Sequence, residues 1–149
     1  MTQIAFTDPT QVCLVADFYH GNPVDFTKLQ AANWNGIKCG GVIMKCTQGA
    51  SYVDPAYASR KIQAPPLPVA AYHFGTGEPV QTQVNNFLTH AQLTDTTGLW
   101  LDYEDNAASQ MSLAQAIDFM GGVDTATGRT CGVYSGNTLK QAIASASIK

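Results

Sequence analysis

The feature that most limits this chain is an alternation, five times over, of short apolar runs with stretches of helical period. The apolar runs lie at 12–16, 41–46, 68–74, 99–104 and 130–134. Helical stretches follow them at 25–32, 54–64, 80–93, from 112 onward and at 138–146. Short apolar runs bounded by polar residues read as buried strands. Strands joined by helices run parallel, because a crossover returns the chain to the end where it started. Local signals agree with this order. Asp25 is placed to cap the first helix, with Gly36 just past its end. Pro55 suits a first helical position, and Ser112 an N-cap. After Ser112, the residues Leu113, Ala116, Ile117 and Met120 recur at intervals of three and four. The expected architecture is α/β, a parallel sheet covered by helices, in a single domain over 1–149.

Composition removes several classes of function. The chain is 45% hydrophobic and 13% charged, which is unlike a disordered protein. A net charge of −3 gives no electrostatic reason to bind nucleic acid. No apolar stretch approaches the roughly 20 residues of a membrane span. Residues 1–9 lack a basic start followed by an apolar core, so no signal peptide is expected and synthesis in the cytoplasm is. Cys13, Cys39, Cys46 and Cys131 form no C-x-x-C pair and no zinc-finger spacing. They are expected as free, buried thiols in a reducing compartment.

In parallel α/β sheets the C-terminal strand ends carry the site. Asp17, Lys45, Tyr72, His73, Asp102, Glu104 and Tyr134 all fall at or near such ends. Asp102 and Glu104 are the most telling. On a strand, residues i and i+2 share a face, so the two carboxylates would project side by side. Like charges held together raise each other's pKa, which suits acid–base work at a glycosidic bond. An acidic cluster that merely caps the next helix is the other reading. Asp17 could join the pair or simply form a turn before Asn22-Pro23.

Aromatic residues gather near the same rim, and sugar rings stack on such faces. Tyr72 and Tyr134 are the better groove candidates, because a phenol at a strand end keeps its hydroxyl wet. Trp100 and Tyr103 read as core. His20, His73 and His90 lie on separate elements without paired spacing, so no metal is expected. Ser135 lacks a nucleophile elbow and reads as the start of the following helix. No glycine-rich stretch matches a phosphate-binding loop, so no nucleotide cofactor is implied.

Four segments in order resemble glycoside hydrolase family 25. They are Asp17-Phe18-Tyr19-His20-Gly21-Asn22 with Val24-Asp25-Phe26; Ile43-Met44-Lys45-Cys46-Thr47-Gln48-Gly49 with Ser51-Tyr52-Val53-Asp54-Pro55; Ala71-Tyr72-His73-Phe74; and Leu101-Asp102-Tyr103-Glu104. The resemblance runs from about 12 to 137. It implies a lysozyme (N-acetylmuramidase) that cuts the β-1,4 bond between N-acetylmuramic acid and N-acetylglucosamine in peptidoglycan, as a phage endolysin does. The family's Asp-x-Glu falls on Asp102 and Glu104. Glu104 would then be the general acid and Asp102 the ionised partner that orients the acetamido group or stabilises developing charge. Asp17 matches the first-strand acid. Tyr72, Lys45, Tyr134 and His73 are expected to bind substrate. The partner implied is a peptidoglycan glycan strand, met at the cell wall.

The resemblance also implies a TIM-barrel-like fold, of which this chain holds a (β/α)5 portion with parallel strands. Family members close an eight-stranded barrel, and the last three strands are not in this sequence. Strands one and five are therefore expected to have open edges, covered by self-association, by a partner or by rearrangement. The alternative function is a non-catalytic module that binds peptidoglycan or a partner protein. Tyr19 stands where the family often has Ser, and Gln48 where it often has Glu.

Overall fold

The computed structural model describes residues 14–145. The elements in chain order are β1 (Leu14–Phe18), α1 (Phe26–Ala31), β2 (Asn33–Trp34), β3 (Ile37–Gln48), β4 (Tyr52–Val53), α2 (Tyr57–Gln63), β5 (Val69–Phe74), α3 (Val80–His90), β6 (Gly98–Asp102), α4 (Leu113–Thr127), β7 (Gly132–Tyr134) and α5 (Thr138–Ser145). Of the first expected strand, residues 12 and 13 lie outside the described part.

Five strands pair in parallel in the order β1-β3-β5-β6-β7, each beside the next in sequence. A sheet wound in one direction by right-handed crossovers places all its helices on one face. The core shows that face. Phe18, Val42, Met44, Leu99 and Leu101 from the strands pack with Phe26, Tyr57, Phe87, Phe119 and Val123 from the helices. Alternate residues, Val15, Ile43, Tyr72, Trp100 and Tyr134, line the opposite face. Val15 on β1 and Tyr134 on β7 border the same cavity. In a flat sheet those edge strands would stand about 19 Å apart, at roughly 4.8 Å per strand. The sheet is therefore curled, with no helix among the described residues on its concave side. Among the described residues β1 pairs only with β3, and β7 only with β6, so both edges are open as expected.

The caps explain where helices begin. Asp25 accepts from Lys28 N at 3.0 Å and starts α1. Ser112 and Gln115 form a reciprocal capping box at α4, which ends at Gly128 in the left-handed conformation (φ 67°). Pro55 is not the first helical residue. Asp54 Oδ1 accepts from Ala56 N at 2.9 Å, which makes a turn, and α2 opens at Tyr57.

Two features depart from the expected pattern. Gly36 is not the end of α1 but the tip of a hairpin. Asn35 (φ 51°) and Gly36 (φ 86°) form the turn between β2 and a much longer β3. β4 then folds back antiparallel on the far end of β3, pairing Tyr52 with Gln48. The cysteines also divide. Cys46 and Cys131 are buried free thiols, and burial pushes both up to about 12. Cys39 is free but only half-buried, and Cys13 lies outside the described residues.

Candidate active site

Strand ends build one rim on the concave face. Asp17 sits near the end of β1, Tyr72 on β5, Asp102 at the end of β6 and Tyr134 at the end of β7. With Val15, Ile43 and Trp100 they line a cavity of about 300 Å³. Asp102 and Tyr134 are register partners. Trp100, expected in the core, is instead 37% exposed on the groove floor. It shares its face with Asp102 two residues on, as the strand period requires. Tyr103 is buried as expected.

Glu104 lies beyond the strand rather than on it. β6 ends at Asp102, and the ladder continues by one bond, Tyr103 N to Tyr134 O at 2.8 Å. The loop that follows is braced. Gln110 donates to the Glu104 carbonyl and accepts from Asn106 N. A Cβ at Gly136 would stand 3.6 Å from Glu104 Oε1, so this carboxylate faces the loop after β7. Gln110 was not among the residues singled out by sequence, and no short-range signal marks it.

Lys45 comes from β3 at the same end of the sheet. Its Nζ donates to Gln48 Oε1 at 2.5 Å and lies 4.9 Å from the Phe74 ring centroid and 5.5 Å from that of Tyr52. Phe74 is in turn the register partner of Asp102. The lysine thus reaches toward the acids across an aromatic ring.

The electrostatics bind these groups together. Burial, then Glu104 and Asp17, push the Asp102 carboxyl up to about 7, with Lys45 opposing. Asp102 Oδ1 is buried with no hydrogen-bond partner among the described residues. Asp17 is raised by loss of hydration and by Glu104. Lys45 is lowered by burial, against the pull of Asp102 and Asp54. The Tyr72 phenol is raised, first by burial and then by four carboxylates including Asp17 and Asp102, so it stays a neutral donor. The neutral form of Asp102 is thus favoured more than in a free aspartate, against its expected role as the ionised partner.

His73 requires a correction. It was expected to bind substrate, but neighbours on a strand face opposite ways, and Tyr72 takes the groove side. His73 is fully buried among the helices. Its Nδ1 lies 2.8 Å from Thr47 Oγ1 and its Nε2 3.1 Å from Gln83 Oε1. The ring stacks on Phe119 at 4.7 Å between centroids, and burial lowers it to about 4, so it stays neutral.

The sequence model of glycosyl hydrolases family 25 matches residues 17–148. The chain belongs to that family. Solved structures share the fold. One is a lysozyme from Streptomyces coelicolor, with TM-score 0.72 and 19% identity over 87% of this chain and 66% of that one. Another is the catalytic domain of an endolysin from a bacteriophage of Listeria monocytogenes, with TM-score 0.68 and 21% identity over 92% of this chain and 69% of that one. A family 25 glycosyl hydrolase from Bacillus anthracis has TM-score 0.69 and 17% identity over 80% of this chain. This chain covers 58% of the Bacillus anthracis protein. The sheet is accordingly an open, TIM-barrel-like portion of the family fold. No curated protein sequence matches the chain. No helix among the described residues is long and apolar enough to cross a membrane.

Proposed function

We propose that this chain is a peptidoglycan hydrolase, a muramidase that cuts the β-1,4 bond between N-acetylmuramic acid and N-acetylglucosamine. The observation that carries the reading is that Asp17 and Asp102 line one aromatic-walled groove, with Glu104 on the adjoining loop near enough to raise both carboxyls. Membership in family 25 supports it. The lysozyme and endolysin titles of structures with the same fold point the same way.

Glu104 is assigned the general acid that protonates the leaving oxygen, since it stands on the loop edge where a glycosidic oxygen can reach it. Asp102 is assigned the partner that receives the substrate's acetamido N–H. Its Oδ1 is buried and lacks a partner, and a substrate N–H supplies one. An N–H there favours the carboxylate over the acid, so binding returns Asp102 to its charged form. Asp17 and Lys45 set the local potential, the first raising Asp102 and the second lowering it. Tyr72 and Tyr134 are assigned to the sugar: Tyr134 offers an exposed ring face, and Tyr72 a neutral hydroxyl. As an endolysin-like enzyme, the protein would act on the cell wall.

The test is the clearing of peptidoglycan suspensions by purified protein. Wild type should clear them, and Glu104→Gln should reduce the rate by about 100-fold or more while keeping shape. A Gln variant as active as wild type removes Glu104 from the role. A wild-type protein that binds peptidoglycan without cutting it makes the chain a binding module instead.

A further inference from the structure

Three exposed ring side chains that the chemistry above does not use gather at the turn after Asp17: Tyr19 and His20 on the turn, and Tyr52 from β4. Single exposed aromatics are ordinary. These three are joined and fixed. The rings of Tyr19 and His20 meet edge-on with centroids 5.1 Å apart. The Tyr52 hydroxyl lies 3.1 Å from His20 Nδ1. The same nitrogen lies 3.0 Å from Asp54 Oδ2, on a side chain only 1% exposed. That oxygen also accepts from His20 N at 2.9 Å. Arg60 clamps the turn by donating to the carbonyls of Tyr19, His20 and Asn22. Gly21 completes the device, since a Cβ there would stand 2.7 Å from the Tyr19 ring. The ring therefore lies against bare backbone.

This arrangement costs side-chain entropy and leaves apolar ring area in water. A turn that served only to connect β1 to α1 would need neither. A ligand that meets pre-fixed rings loses less freedom on binding. A rigid aromatic face beside hydrogen-bonding groups suits a pyranose ring, whose axial C–H groups stack while its hydroxyls bond at the edge. His20 Nε2 has no protein partner among the described residues and can bond such a hydroxyl. The rings are also continuous with the groove. Tyr19 follows Asp17 by two residues, and Lys45 Nζ links Tyr52 to the Asp102 side.

We propose that Tyr19, His20 and Tyr52 form a saccharide platform that holds a sugar of the glycan strand outside the pair flanking the cleaved bond. The proposal rests on the muramidase reading and adds a subsite to it.

The test measures binding to insoluble peptidoglycan in the Glu104→Gln background, so that cleavage does not interfere. Tyr19→Ser and, separately, Gly21→Ala are added. Each should weaken binding about five- to tenfold, the second by displacing the ring without removing it. Tyr19→Phe should bind like the parent, because stacking uses the ring rather than the hydroxyl. Trp34→Ala is the control. Trp34 is an exposed aromatic at the opposite end of β3, about 35 Å along the strand from Tyr52 at roughly 3.3 Å per residue, and its loss should change nothing. Melting curves for each variant separate weakened binding from unfolding. A Tyr19→Ser protein that is folded and binds like its parent overturns the platform and leaves the muramidase reading standing. A loss with Tyr19→Phe equal to that with Tyr19→Ser overturns stacking. A parent that binds no peptidoglycan overturns both readings.

Discussion

Asp102 and Tyr134 are register partners on β6 and β7, and both face the groove at its C-terminal rim. Their pairing ties a carboxyl whose Oδ1 is buried and whose pKa is raised to an exposed phenol that contributes little to the core. Stability and function therefore separate at this position.

Tyr134→Ala should cost little stability, within about 0.5 kcal/mol, since the side chain is 52% exposed. Activity on peptidoglycan should fall at least several-fold, mostly through KM. Urea denaturation and initial-rate measurements on the same preparation check the two halves of this expectation.

Asp102 makes stability depend on pH. Its carboxyl is raised from 3.8 to about 7 in the folded state. Between those values the folded chain binds more protons than the unfolded one, so stability falls as pH rises from about 4 to about 7. Asp17 acts in the same direction. Asp102→Asn removes this contribution. The melting temperature of Asp102→Asn relative to wild type should therefore be higher at pH 7.5 than at pH 4.5. Scanning calorimetry at both values measures it, and an unchanged difference would show that Asp102 is not raised.

His73→Ala should behave in the opposite way from Tyr134→Ala. It removes a ring stacked on Phe119 and takes the ring partner from buried Thr47 Oγ1, while Gln83 keeps its bonds to Thr76 and Glu78. The cost should be about 2–4 kcal/mol. Below the melting range, KM should remain that of wild type, because the ring never reaches the groove.

Gly132 tests the groove floor. A Cβ there would stand 2.8 Å from the Trp100 ring, so Gly132→Ala must displace the indole. The expected cost is about 1–2 kcal/mol, with a changed tryptophan emission spectrum. The same substitution in a Trp34→Phe background assigns the spectral change to Trp100.

The order of β-α units was legible because burial on one sheet face forces apolar runs, and because caps are local. Ser112 with Gln115 and Asp25 with Lys28 act within a few residues. The Asn35-Gly36 hairpin was equally local, but a glycine after a helix also fits a helix end, and the two readings compete. Facing was the weaker part. Strand period places Tyr72 and His73 on opposite sides, and Trp100 with Asp102 on one side. Position near a strand end says nothing of that choice. The link from His20 to Asp54 spans 34 residues and depends on β4 folding back on β3, which no local pattern reveals. Nor does sequence reveal that Asp102 Oδ1 lacks a partner, since that follows from how the whole rim closes.

The acids at this rim are proposed to cut a glycan at one particular bond. The most direct measurement is mass spectrometry of the fragments released from purified peptidoglycan. Wild type should release fragments ending in reducing N-acetylmuramic acid, and Glu104→Gln essentially none. Fragments that end in N-acetylglucosamine, or equal release by the Gln variant, would contradict the proposal.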